Sequence, residues 1–139
     1  MSGEEALTEW VRSHMTLEKP DLLLQVKERV AHLLGVSTDG TVAFRLEAHQ
    51  LSRLTSGDRI LLYMLGKLFA QAAGYASDDT VTNSELQTHL GMPEGTVRGQ
   101  LTTLRRERWV NPSEAGKHSL AKNRISEVLG SIEKKVVTA

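Results

Sequence analysis

Seven side chains in the C-terminal half carry the chemistry this sequence offers a partner: Thr96, Arg98, Thr102, Thr103, Arg106, Lys117 and His118. A guanidinium presents a planar fork of N–H donors that matches two phosphate oxygens, or the O6 and N7 edge of guanine. Threonine hydroxyls suit phosphates and their methyls suit thymine. Lys117 and His118 stand further on, placed to meet flanking backbone or a minor groove. Between Met92 and Arg124 there are seven basic residues (Arg98, Arg105, Arg106, Arg108, Lys117, Lys122, Arg124) and three acidic ones (Glu94, Glu107, Glu114). The chain as a whole has no net charge. A local positive field, rather than a basic isoelectric point, is what docks a polyanion.

Other chemistries lack their residues. The five histidines (His14, His32, His49, His89, His118) are scattered, with no HExxH or HxxxH spacing for a metal. Asp78 and Asp79 are adjacent, so on a loop they point apart and read as turn residues. No GxxxxGK[ST] or GxGxxG phosphate loop and no GxSxG elbow is present. No enzyme, cofactor or metal site is expected. Cysteine is absent, which removes disulfides and thiolate ligands and fits a reducing cytoplasm. MSGEEALTEW has acids where a secretion signal has bases, and no apolar run approaches the roughly 20 residues of a membrane span. A cytoplasmic protein with no membrane association is expected.

The side chains that could act need elements to hold them. The 139 residues are 40% apolar and 24% charged, enough for one globular core. Leu7, Trp10, Val11 and Met15 are spaced for a first helix, and Leu23, Val26, Val30, Leu33 and Leu34 for a second that starts near Pro20 and stops at Gly35. Val42, Phe44 and Leu46 alternate with Ala43, Arg45 and Glu47 after an Asp39-Gly40 turn, which predicts a strand or short hairpin. Ser56 is placed to cap a third helix, RILLYMLGKLFAQAAG, apolar on most sides and therefore central. Gly66 inside it costs about 1 kcal/mol against alanine and predicts a close helix crossing. Val81 can add one strand residue, and Thr82-Asn83-Ser84-Glu85 reads as a capping box.

The next helix ends at Gly91, and another runs from Glu94 to about Arg108 with Val97, Leu101 and Leu104 on one face. At about 100° per residue, the opposite face holds Gly95, Gly99, Thr102 and Arg106, with Thr96, Arg98 and Thr103 beside it. The two glycines allow close backbone approach but read no base. Trp109-Val110-Asn111 reads as a strand with Trp109 in the core. PSEAGKHS is a turn, and a return strand ends near Leu120. Ile125, Val128, Leu129 and Ile132 form the stripe of a last helix.

This order resembles the winged helix-turn-helix family of small bacterial and archaeal transcription regulators, over about Ser56 to Leu120. GMPEGTVRGQL is also similar to the helix-turn-helix that ends many sigma factors, although nothing else in the chain is. One residue departs from the pattern: many members carry glycine just before the wing strand, where this chain has Arg108. The resemblance implies a mainly α fold with a small β component. Residues 1–54 form an N-terminal extension of two helices and a short strand or hairpin. Residues 55–139 form the winged helix-turn-helix domain with its C-terminal helix. It further implies that Glu94 to Arg108 enters the major groove of double-stranded DNA, in a homodimeric transcription regulator joined by its terminal helices. Winged helices also dock on proteins, so an interaction subunit of a larger complex is the alternative. A single-stranded nucleic-acid or RNA binder is the weakest reading, because the basic region lacks stacking aromatics other than Trp109.

Overall fold

A computed structural model describes residues 2–15, 19–113 and 116–137. The chain is mainly helical with two small antiparallel sheets. In order come α1 (Gly3–His14), α2 (Lys19–Ala31), β1 (Leu34–Val36), β2 (Val42–Phe44), α3 (Ala48–Leu51), α4 (Ser56–Ala72), β3 (Val81–Thr82), α5 (Asn83–Leu90), α6 (Glu94–Arg106), β4 (Val110–Pro112), β5 (Lys117–Leu120), a 3-10 turn (Lys122–Arg124) and α7 (Ile125–Val137). β1 pairs only with β2, with Val36 opposite Val42. The second sheet has the order β3-β5-β4.

Helix α4 is the centre. Ile60, Leu62, Met64, Leu65 and Leu68 have no exposed surface, although successive residues point about 100° apart. Neighbours therefore surround it: α2 and the β1–β2 hairpin, α5 and α6, and α7. Its cap is Thr55 rather than the expected Ser56. The Thr55 hydroxyl accepts from Asp58 N at 3.1 Å, and Asp58 Oδ2 accepts from Thr55 N at 2.9 Å. Lys135 of α7 donates to the same carboxylate oxygen at 2.6 Å, joining the last helix to the start of the central one. Gly66 serves a close approach, but not of a helix: a Cβ there would lie 2.5 Å from Cγ1 of Val42 in β2.

Three local expectations give way to the tertiary structure. Helix α2 stops at Ala31, so Leu34 and Gly35 belong to β1. Pairing with β2 puts Leu34 opposite Phe44 and satisfies backbone that a longer helix would have used. The short α3, with its own Glu47–Gln50 capping box, was not legible as a stripe because a four-residue helix shows no period. At Thr82 only half of the capping box forms. Thr82 accepts from Glu85 N at 3.1 Å, but the Glu85 carboxylate is used elsewhere: it accepts from the Tyr63 hydroxyl at 2.7 Å and pairs with Lys67 at 3.0 Å. Burial first, and then that carboxylate, hold the Tyr63 hydroxyl far above its ordinary pKa. The apolar stripe of α7 is covered within the chain by α4, α3 and α2. It is not left for a second copy. The core is one cluster from Leu23 to Val136, continuous across Leu54.

Leu101→Ala should destabilise the protein by roughly 2–5 kcal/mol in chemical denaturation, because it opens a cavity where α6 meets α4. Gly66→Ala should destabilise by about 1–3 kcal/mol despite its gain in helix propensity, since overpacking against Val42 outweighs that gain. Val42→Ala in the same chain should recover part of the loss, and additive losses would show that the contact is not the cause.

Candidate nucleic-acid interface

Helix α6 is positioned at both ends by backbone geometry. Gly91 adopts the left-handed conformation (φ 63°) that ends α5, and Pro93 begins α6 in extended backbone. Val97, Leu101 and Leu104 are buried. Gly95, Arg98, Gly99, Thr102, Arg105 and Arg106 are exposed, and Thr96 and Thr103 are half-buried at the margins. The face expected from helical spacing is thus the face that meets solvent.

Its side chains differ in how they are occupied. Arg98 is paired with Glu94 one turn earlier. The Thr102 hydroxyl donates to the Arg98 carbonyl at 2.9 Å and the Thr103 hydroxyl to the Gly99 carbonyl at 3.2 Å, which leaves their oxygens as acceptors. Arg105 Nε donates to the Leu101 carbonyl at 3.3 Å. Arg106 makes no ion pair or side-chain hydrogen bond among the described residues. A Cβ on Gly95 or Gly99 would meet nothing within 4 Å. The fold therefore has no steric use for either glycine, in contrast to Gly66.

The β4–β5 hairpin stands beside α6. Its tip residues Glu114 and Ala115, part of the expected turn, lie outside the described residues, and Gly116 closes the turn with φ 78°. Lys117 is half-exposed, with its ammonium 3.9 Å from Asp78. His118, expected on the outer surface, is turned inward and only 5% exposed. The strand alternates, so His118 shares the inner face with Leu120. Its Nε2 donates to Asn83 Oδ1 at 2.8 Å, while Nδ1 is buried without a hydrogen-bond partner among the described residues. Burial, and secondarily the positive charge of Arg105, hold its pKa below the ordinary histidine value. His118 is a buried link between β5 and the start of α5.

Other bases in the cluster are also engaged. Arg124 lies over the Trp109 ring, 3.7 Å from its centroid, and Lys122 is 3.7 Å from Asp79. Trp109 is half-buried under that guanidinium, at the edge of the core.

Arg108, the residue that departs from the expected glycine, ends α6 in unusual backbone. It is the one non-glycine residue with positive φ (65°) among the described residues. Arg108 N donates to the Arg105 carbonyl at 3.1 Å and Trp109 N to the Leu104 carbonyl at 2.9 Å, the paired bonds of a Schellman cap. Glycine is the usual occupant of that position. The substitution of arginine for the expected glycine thus changes the residue without changing the turn. The signal was present in the sequence, as an arginine where glycine was expected before β4.

No group of three or more potential metal ligands occurs among the described residues. No helix among them is long and apolar enough to cross a membrane. Comparison with known proteins finds no matching family, no similar curated protein and no similar solved structure.

Arg108→Gly should raise stability by about 1 kcal/mol, because glycine takes left-handed backbone without a Cβ penalty. A loss in chemical denaturation would mean that the guanidinium itself supports the fold. His118 provides a pH test. Its folded-state pKa is depressed, so its contribution is present above the unfolded value near 6.5 and is lost as pH falls from that value through the lower folded-state pKa. Unfolding free energy should fall from roughly pH 8 to pH 5, with a smaller slope in His118→Gln.

Proposed function

We propose that the chain is a winged helix-turn-helix protein that binds duplex DNA and regulates transcription in the cytoplasm, as a homodimer. The observation that carries this reading is one arrangement. Three helices, α4, α5 and α6, are interleaved with a sheet of order β3-β5-β4, and the outward face of α6 lies beside the β4–β5 hairpin. That is the arrangement in which a second helix enters the major groove and a wing meets adjacent backbone. Arg106 is the strongest contact residue, because it has no acidic partner to leave among the described residues. Arg98 must exchange Glu94 for a phosphate or a guanine edge. Thr96, Thr102 and Thr103 contribute hydroxyls and methyls, and Lys117 exchanges Asp78 for flanking phosphate. His118 supports the wing from inside.

With two glycines in the middle of the face, base readout is sparse, and affinity comes mainly from phosphates. A second reading is favoured by the same glycines together with the zero net charge: α6 docks on a protein, with the bare backbone of Gly95 and Gly99 against a partner helix or strand.

Arg106→Ala should weaken binding to random-sequence duplex DNA and reduce the slope of log K against log salt by about 1. Arg106→Glu should weaken it further. No measurable affinity of the unmodified chain at low salt would remove DNA as the ligand and leave the protein-docking reading.

A further inference from the structure

We infer that the free edge of β1 docks an extended segment of another protein, apolar–acidic–apolar in pattern, which joins the β1–β2 hairpin as a third strand. The inference goes beyond the DNA reading and does not rest on it, because no residue of α6 or of the β4–β5 hairpin takes part.

The edge follows from the ladder. Arg45 N donates to the Leu33 carbonyl at 2.7 Å and Ser37 N to the Thr41 carbonyl at 2.8 Å. Antiparallel pairs alternate between bonded and unbonded, so Gly35 and Ala43 are the bonded pair between them. Leu34 and Val36 therefore turn their N–H and C=O groups away from β2, and the sheet has no third strand to meet them. These groups have no partner among the described residues. Leu34 is buried, so its unpaired backbone carries a cost that an added strand removes. The outer edge of β2 is used at Val42, whose backbone hydrogen-bonds the Tyr63 hydroxyl.

All three residues of β1 line a cleft of about 360 Å³ between α2 and the C-terminal end of α4, enough for the side chains of a short segment. Phe69 and Tyr75 form an apolar wall, and Leu24, exposed one turn before Lys27 on α2, continues it. Lys27 and Arg45 also line the cleft, and no carboxylate does among the described residues. The Lys27 ammonium has no ion pair or hydrogen bond among the described residues. Arg45 is held in place. Its Nη1 donates to the Ala31 carbonyl at 3.0 Å, and its guanidinium lies on Gly35, where a Cβ would come within 3.2 Å of Nε.

Register fixes the pattern of the incoming segment, because residues directly opposite in a sheet share a face. Val36 shares the face of Val42, which meets Gly66 of α4. Incoming residues opposite Leu34 and Val36 therefore point toward α4 and Phe69, and are apolar. The residue between them, opposite Gly35, lies on the face covered by the Arg45 guanidinium, and is acidic. A second copy of β1 does not fit: pairing two edges about Gly35 would bring the two Arg45 side chains together.

Titration of the isotope-labelled full chain with an end-capped Ser-Val-Glu-Val-Ser peptide, followed by NMR to millimolar peptide, tests this. The amide protons of Leu34 and Val36 should move downfield as they gain acceptors, while those of α6 stay in place. The same peptide with lysine for glutamate should bind roughly three- to tenfold more weakly, and N-methylation of both valine amides should abolish binding. Arg45→Glu should reverse the preference in favour of the lysine peptide. If that variant does not fold, Lys27→Glu, at an exposed position, should weaken the glutamate peptide instead. Unmoved Leu34 and Val36 amides, equal affinity for the two peptides, or indifference to the charge reversal would each overturn the inference. So would β1 shifts that follow protein concentration without peptide, which would give the edge to a second copy.

Discussion

Helix α4 has no side that can face water, and the rest of the molecule is arranged to cover it. Residues 60 to 65 pass through more than a full turn and all six are buried. Such a helix is stable only when enclosed. The β1–β2 hairpin closes one side so tightly that only glycine fits at position 66. Residues from Leu23 to Leu54 therefore contribute to the same core that holds α6, and α7 completes the enclosure from the other end of the chain.

The orientation of the candidate interface follows from this enclosure. Glu85, in the first turn of α5, accepts from Tyr63 and pairs with Lys67, and both partners belong to α4. A half-buried carboxylate gains from such partners, and here they fix α5 on the central helix. Gly91 then sets the turn into α6, whose Val97, Leu101 and Leu104 close over the same core. The outward face of α6 is thus aimed by contacts made on its inward face. The hairpin beside it is held in the same manner by His118, which reaches back to Asn83 at the head of α5.

Charge on that surface is less available than a count of bases suggests. Arg98 has Glu94, Arg124 has the Trp109 ring, and Lys117 and Lys122 have Asp78 and Asp79 close by. Exposed pairs of this kind are weak and exchange readily for a phosphate, so they tune rather than abolish attraction. Arg106 needs no such exchange. The glycines divide in the same way: Gly66 is demanded by Val42, whereas Gly95 and Gly99 face open space and gain nothing for the isolated fold.

Residue types and their spacing were enough to place α1, α2, α4, α5, α6, α7, β2 and the β4–β5 pair, because the period of an apolar face is written in the sequence; β1 read instead as the end of α2. They were also enough to identify the outward face of α6, since a stripe of Val97, Leu101 and Leu104 leaves only one opposite side. The alternation of β5 pointed to His118 as an inner residue as well, with Leu120 two positions on, but a polar residue near a turn reads as exposed until its partner is known. What cannot be read locally is which group a side chain chooses when several are within reach. Glu85 could cap its own helix and instead serves Tyr63 and Lys67; Gly66 could admit a helix and instead admits a strand; α7 could cover a second chain and instead covers its own. Those choices join residues from 18 (Lys67 to Glu85) to 77 positions apart, and only the packed chain brings them close enough to compete.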